Sequence, residues 1–143
     1  MSHYAVKLKQ SGVLPYRHRK GKLEVLLVTS LGTGRWVVPK GNIAEDMSAR
    51  DSAAKEAFEE AGIRGQLAKK GLGGYAYKKA DVKGGAICKV ELFPMEVETV
   101  EEDWPEKTER KRAWMAIDKA AASVAEPRLA ELMLAFAQKS GKG

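Results

Sequence analysis

Gly41-Asn42-Ile43-Ala44-Glu45-Asp46-Met47-Ser48-Ala49-Arg50-Asp51-Ser52-Ala53-Ala54-Lys55-Glu56-Ala57-Phe58-Glu59-Glu60-Ala61-Gly62-Ile63 is the stretch that decides how this chain is read. Ser48 followed three residues on by Asp51 is a capping-box-like helix start, and Gly62 is a natural stop. At roughly 100° per residue, Glu56, Glu59 and Glu60 fall within about a 100° arc of that helix. Ala54, Ala57, Phe58 and Ala61 cluster near the opposite side and are expected to be the buried face. Like charges three and four residues apart repel by a few tenths of a kcal/mol per pair. Lys55, four residues before Glu59, relieves only part of this. A hard divalent cation relieves it better, because Mg²⁺ prefers carboxylate oxygens, keeps several waters and bridges to substrate phosphates. A solvated acidic helix face is the competing account of the three glutamates taken alone.

Outward from the helix, Val13-Leu14-Pro15-Tyr16-Arg17 and Leu23-Glu24-Val25-Leu26-Leu27-Val28 read as strands joined by the basic turn His18-Arg19-Lys20-Gly21-Lys22. Trp36-Val37-Val38 is a third short strand, ended by Pro39-Lys40-Gly41. Beyond Gly62, strand-like segments lie around 74–79 and 85–97, and 98–110 is an acidic polar loop carrying Trp104-Pro105. Residues 113–117 make a last short strand, with Asp118 as cap of a short alanine-rich helix. Pro127 suits the first turn of a final helix, whose Leu129, Leu132, Met133 and Phe136 fall on one face as core packing.

The chain has 143 residues, the size of one domain, with 44% hydrophobic and 31% charged residues, an ordinary globular composition. No apolar run approaches the roughly 20 residues needed to span a bilayer. Met1 to Lys7 contains no apolar signal segment, so the expected location is cytoplasmic. The one cysteine, Cys88, has no partner for an intramolecular disulfide and is expected as a buried strand residue rather than a nucleophile. A net charge of +6, from 25 basic and 19 acidic residues, suits a polyanionic partner: a nucleotide, an inositol phosphate or a nucleic acid.

From Gly41 to Ile63 the sequence resembles the Nudix box, which runs Gly, five residues, Glu, seven residues, Arg-Glu, hydrophobic, any, Glu-Glu, any, Gly, hydrophobic. The resemblance implies an α/β fold: an α/β/α sandwich with a central mixed sheet and a loop–helix–loop motif. It also implies a magnesium-dependent hydrolase, with Mn²⁺ as a substitute, that cleaves a phosphoanhydride bond while water attacks phosphorus. The metal set it points to is Glu56, Glu59, Glu60 and Gly41, with Glu60, Glu59 and Glu56 as catalytic residues. Two positions depart from the box. Met47 stands at its first glutamate. Lys55 replaces its arginine, keeping the charge but losing the planar fork that braces a carboxylate at two points.

The segments Glu24–Ser30, Arg35–Gly41, Glu101–Trp104 and Arg110–Trp114 are similar to those of the diphosphoinositol polyphosphate phosphohydrolases. That subfamily cleaves diphosphoinositol polyphosphates and dinucleoside polyphosphates. On its pattern, Arg17, Lys40, Arg110 and Arg112 are the substrate-binding candidates, through charge and, for arginine, bidentate geometry. His18 is expected exposed in its turn, and His3 in an unstructured end. Glu101, Glu102 and Glu106 are each eligible as a loop base or extra metal ligand. Trp104 is expected to pack against the sheet edge rather than stack on a base. The competing functions are a nucleoside-triphosphate pyrophosphohydrolase, an RNA 5′-end pyrophosphohydrolase and a non-hydrolytic sensing module. Aromatic residues total only 7%, which argues against a stacking platform for single-stranded RNA.

Overall fold

The computed structural model describes residues 6–79 and 84–140. His3 lies outside the described residues. Period-two burial organises the molecule. In β1 (Val6–Arg19) and β2 (Lys22–Thr29), Leu14, Val25 and Leu27 point to one face of the sheet while Val13, Leu26 and Val28 point to the other. Both faces are apolar, so both must be covered. The two strands form a hairpin whose turn is Lys20 and Gly21, both left-handed at φ 53° and 77°, the pair of conformations a two-residue turn of right-handed twist requires. The turn is thus tighter than the five residues expected.

Next come β3 (Trp36–Val37), β4 (Lys40–Asn42), α1 (Ala49–Ala61), β5 (Ile63–Leu67), β6 (Gly73–Lys79) and β7 (Ala86–Val100). β8 (Arg112–Ala116), α2 (Ile117–Ser123) and α3 (Pro127–Ser140) complete the chain. The main path through the sheet is β3-β2-β1-β7-β5, with β4 on β1, β6 on β7 and β8 on β2. β1 and β7 run parallel over eleven residue pairs and the other pairings are antiparallel, so the sheet is mixed. α1 packs on one face through Ala53, Ala57 and Ala61. α2 and α3 cover the other through Ala120, Ala121, Leu129, Leu132 and Met133, with Phe136 partly buried beside them. This is an α/β/α sandwich.

Several expectations change. β1 begins at Val6, because the parallel ladder with β7 orders the stretch before Val13. Pro39 does not end the extended chain: Lys40, Gly41 and Asn42 pair with Gly12, Ser11 and Gln10. β5 is a strand with no clear alternation, and β7 continues to Val100 because Ile63 pairs with it there. Ile117 begins α2 rather than ending β8. Asp118 is not its cap, since Ala116 holds that position without a side-chain bond and Asp118 accepts the Lys119 N–H instead. Cys88 is fully buried in β7. Among the described residues no helix is long and apolar enough to cross a membrane.

Candidate functional site

α1 is bounded as its sequence dictates. Ser48 Oγ accepts the Asp51 N–H at 3.0 Å, and Gly62 closes the helix in the left-handed region at φ 69°. Its buried line is Ser52, Ala53, Ala57, Glu60 and Ala61. Two parts of the helical-wheel expectation therefore fail. Phe58 is only partly buried, with the Arg64 guanidinium 4.1 Å over its ring, and Glu60 belongs to the covered side at 7% exposure. The reason is local: β4 and the 101–111 loop rise beside the last turn of the helix and enclose Glu60.

That enclosure is polar. Glu60 Oε1 accepts the backbone N–H of Lys40 at 3.2 Å, and Oε2 lies 3.3 Å from Arg110 Nη2. Burial pushes the Glu60 carboxyl up to about 7, against the lowering influence of Arg110 and Lys40. The Glu60 carbonyl is held as well, by the Trp104 indole N–H at 3.0 Å. Trp104 thus packs over the end of α1, facing Gly62, where a Cβ would meet its ring at 2.9 Å.

Glu56 sits one turn earlier against Gly41. A Cβ built on Gly41 would lie 2.6 and 2.7 Å from the two Glu56 carboxylate oxygens; only glycine leaves that space. Among the described residues Glu56 has no hydrogen bond or ion pair, and burial, followed by the neighbouring Glu59 charge, raises its pKa. Glu59 is partly exposed and paired instead with the exposed Lys55 at 3.0 Å, as the spacing suggested.

The basic residues divide sharply. Arg110 lies 2.6 Å from Glu106 through Nε and donates to the Thr29 carbonyl at 3.0 Å, with only 10% of its side chain exposed. Its third nitrogen is the one that reaches Glu60, so this loop gives Glu60 a single guanidinium contact rather than a two-point fork. Lys40 turns to the other face of the sheet, with Nζ 4.8 Å over the Tyr77 ring; burial lowers its pKa, with Glu60 and Glu126 opposing. Beside it, Tyr77 Oη donates to Gln10 Oε1 at 2.8 Å and Gln10 Nε2 to Asn42 Oδ1 at 3.0 Å. The sequence reading missed this uncharged array. Its only signal was a glutamine in a strand whose extent had not been read.

Arg112, expected as a substrate ligand, makes its contacts within the fold. It donates to the Ala61 and Glu101 carbonyls, both at 2.7 Å, and stacks 3.7 Å from the Trp104 ring, clamping loop to helix. Arg17 pairs with Glu24 at 2.7 Å and lies 4.0 Å over Trp114, out of contact with the α1 carboxylates. His18 is exposed. Of the loop acids, Glu106 reaches the site through Arg110, Glu101 pairs with Arg64 at 3.7 Å, and Glu102 is exposed.

Among the described residues, no three His, Cys, Asp or Glu side chains converge on one point. The donor set still fits a hard divalent cation: a half-buried carboxylate without a partner, a second carboxylate one turn on, a third held only by an exposed lysine, and the Gly41 peptide beside them. Gathering them asks Glu59 to leave Lys55, an exposed pair worth about 0–1 kcal/mol.

The chain matches the NUDIX domain family over residues 8–136. It belongs to that family. Nudix hydrolase 12, mitochondrial, of Arabidopsis thaliana is 35% identical over 127 residues, covering 77% of this chain and 63% of the relative. Diphosphoinositol polyphosphate phosphohydrolase 3-alpha of Mus musculus is 29% identical over 114 residues, covering 78% and 66%. The chain spans less than two thirds of the length of that first Arabidopsis relative. Among solved structures, C. elegans Ap4A hydrolase superposes with a TM-score of 0.70 at 19% identity, covering 95% of this chain and 100% of that one. The shared architecture is the Nudix fold, and the box residues Gly41, Glu56, Glu59, Glu60 and Gly62 of this member occupy its loop–helix–loop.

Proposed function

We propose that this Nudix protein is a divalent-cation-dependent hydrolase that cleaves a phosphoanhydride bond in a polyphosphorylated small molecule. The observation that carries the reading is the pair of carboxylates at the end of α1. Glu56 is half-buried with no partner, and Glu60 is buried yet fixed at both oxygens by Lys40 N–H and Arg110. Glu56, Glu60, Glu59 and the Gly41 peptide would hold Mg²⁺ or Mn²⁺. Bound there, the cation supplies charge neutralisation on phosphoryl oxygens and acidifies water.

The protein's own groups do the rest. Glu60 Oε2, buried at the end of α1 and held by Arg110, is the proposed acceptor for the proton of the attacking water. Arg110, sharing that oxygen, keeps the carboxylate aimed and lowers its proton affinity. Lys40 supplies a cation on the opposite side of β4. The Gln10–Asn42–Tyr77 array beside it is bonded within itself, with only Asn42 exposed, and surrounds Lys40 with neutral groups rather than a ring of cations. That chemistry suits a nucleoside end better than an inositol carrying many phosphates, so a dinucleoside polyphosphate is the favoured substrate and a diphosphoinositol polyphosphate the second.

The test is phosphate or nucleotide release from diadenosine polyphosphates, diphosphoinositol polyphosphates, nucleoside triphosphates and 5′-triphosphate RNA, with and without Mg²⁺. Glu60→Gln keeps the shape but not the charge and is expected to lose about 10²–10⁴ of turnover while remaining folded. Full activity in that folded variant would sink the role given to Glu60. Metal-bound, folded wild type that binds but turns over none of the panel would favour a sensing module, with Met47→Glu the first substitution to make.

A further inference from the structure

We infer that the Ser11 hydroxyl is a positioning group for the carboxylates of α1: it donates to Glu56 from the sheet beneath and fixes the orientation in which that carboxylate meets a divalent cation; this rests on the metal-dependent reading of the site. Ser11 lies in the middle of β1 and none of it is exposed. Among the described residues its Oγ is the one buried side-chain oxygen or nitrogen without a hydrogen-bond partner. A buried hydroxyl left unpaired is costly, so such an atom in a native fold calls for a cause. The serine of the facing helix shows the contrast: Ser52, 2% exposed, accepts the Ala44 N–H at 3.1 Å. Because Ser11 is wholly covered, solvent does not satisfy it and its partner has to be a protein group.

Register identifies that group. Ser11 pairs with Gly41 across the β1–β4 ladder, and the side chains of such a pair stand on one face with Cβ atoms about 4.5–5.5 Å apart. The face is the one α1 covers, since the Glu56 oxygens lie 2.6 and 2.7 Å from the Gly41 Cβ position. A hydroxyl turned toward Gly41 therefore comes within hydrogen-bonding reach of the carboxylate seated over it. On its other side Ser11 pairs with Glu91 of β7. Glu91 is exposed and leans away, with Oε2 3.3 Å from the Gly71 Cβ position.

The other two glutamates already have holders: Glu60 has the Lys40 N–H and Arg110, and Glu59 has Lys55. Glu56, half-buried, has none among the described residues. A carboxylate that ligates a metal is steadied by outer hydrogen bonds that leave an oxygen free for the cation. A neutral hydroxyl suits that task, because it directs the carboxylate without cancelling the charge the cation requires.

The test is Mn²⁺ affinity by electron paramagnetic resonance, beside the melting temperature in EDTA, for wild type, Ser11→Ala and Ser11→Cys. Cysteine keeps the volume and supplies only a weak donor, so it separates the hydroxyl from its packing. Both variants are expected to bind Mn²⁺ about tenfold more weakly. The metal-free melting temperature should stay level or rise, because an unpaired polar group has been removed. Wild-type affinity in Ser11→Ala would overturn the role and leave the metal site standing. Wild-type affinity in Ser11→Cys alone would assign the effect to volume and overturn it too, as would a melting temperature that falls in both variants in step with affinity. Wild type that binds no Mn²⁺ would sink the metal reading and the role of Ser11 together.

Discussion

Replacing Gly41 by alanine puts a methyl group where the Glu56 carboxylate lies, and the outcome separates the site from the fold. The new Cβ would stand 2.6 and 2.7 Å from the carboxylate oxygens, so the glutamate must turn away. What it abandons is nothing bonded, since Glu56 has no partner among the described residues. Its displaced rotamer costs about 0.5–1.5 kcal/mol, and alanine returns about 0.4–1 kcal/mol by restricting the unfolded chain. Gly41 is not in the left-handed region, so no backbone strain is added. The net change is within about 1 kcal/mol, and the melting temperature should move by less than about 4 °C. Metal binding should suffer far more. Disturbing the supports of a metal ligand already costs about 10–100-fold in affinity, or about 1.4–2.7 kcal/mol, and here a ligand itself is displaced. Mn²⁺ titration followed by electron paramagnetic resonance, alongside thermal melting, reads both quantities. Unchanged Mn²⁺ affinity in the folded variant would refute the assignment of Glu56.

Other outcomes follow from the same geometry. Glu60 has its pKa raised to about 7 by burial, so its charged form is disfavoured by folding. Its contribution to stability should decline as pH rises from its unfolded value through 7, while Mn²⁺ affinity rises over the same window. In Arg110→Gln the counter-charge is gone and that affinity limb should move to higher pH, and an unmoved limb would detach Arg110 from Glu60. Arg112→Ala loses two charge-assisted bonds to carbonyls and should destabilise by about 2 kcal/mol in urea unfolding; a drop in substrate affinity with full stability would restore it as a substrate ligand. Ser48→Ala removes the α1 cap and should cost about 1 kcal/mol of stability, and no loss would mean the Asp51 N–H is satisfied elsewhere.

Some of this was legible because it is local. Val25-Leu26-Leu27-Val28 is a strand whatever surrounds it, and Ser48 and Gly62 fix the ends of α1 by their own chemistry. The box spacing placed Glu56, Glu59 and Glu60 together on one turn of chain. What escaped depends on partners far along the sequence. Nothing in Ile63-Arg64-Gly65-Gln66-Leu67 alternates, and Gly65 is required only because the Glu96 backbone passes where its Cβ would be. The burial of Glu60 comes from Lys40 and Arg110, twenty residues before and fifty after. A helical wheel carries no information about either. Arg110 and Arg112 look alike in sequence, but the strand geometry aims one at a carboxylate and the other at two carbonyls.

The parallel seam between β1 and β7 has a consequence for how the chain reaches this state. Each residue from Val6 to Tyr16 pairs with the one eighty positions later. Closing a loop of that length costs about 4 kcal/mol of chain entropy before any pair forms, and such non-local pairing makes for slow folding. During synthesis α1 and its glutamates emerge well before Glu96. The half-made protein therefore carries an acidic helix with only part of the sheet that will bury it. The wall around Glu60 closes only when the 101–111 loop and Arg110 arrive.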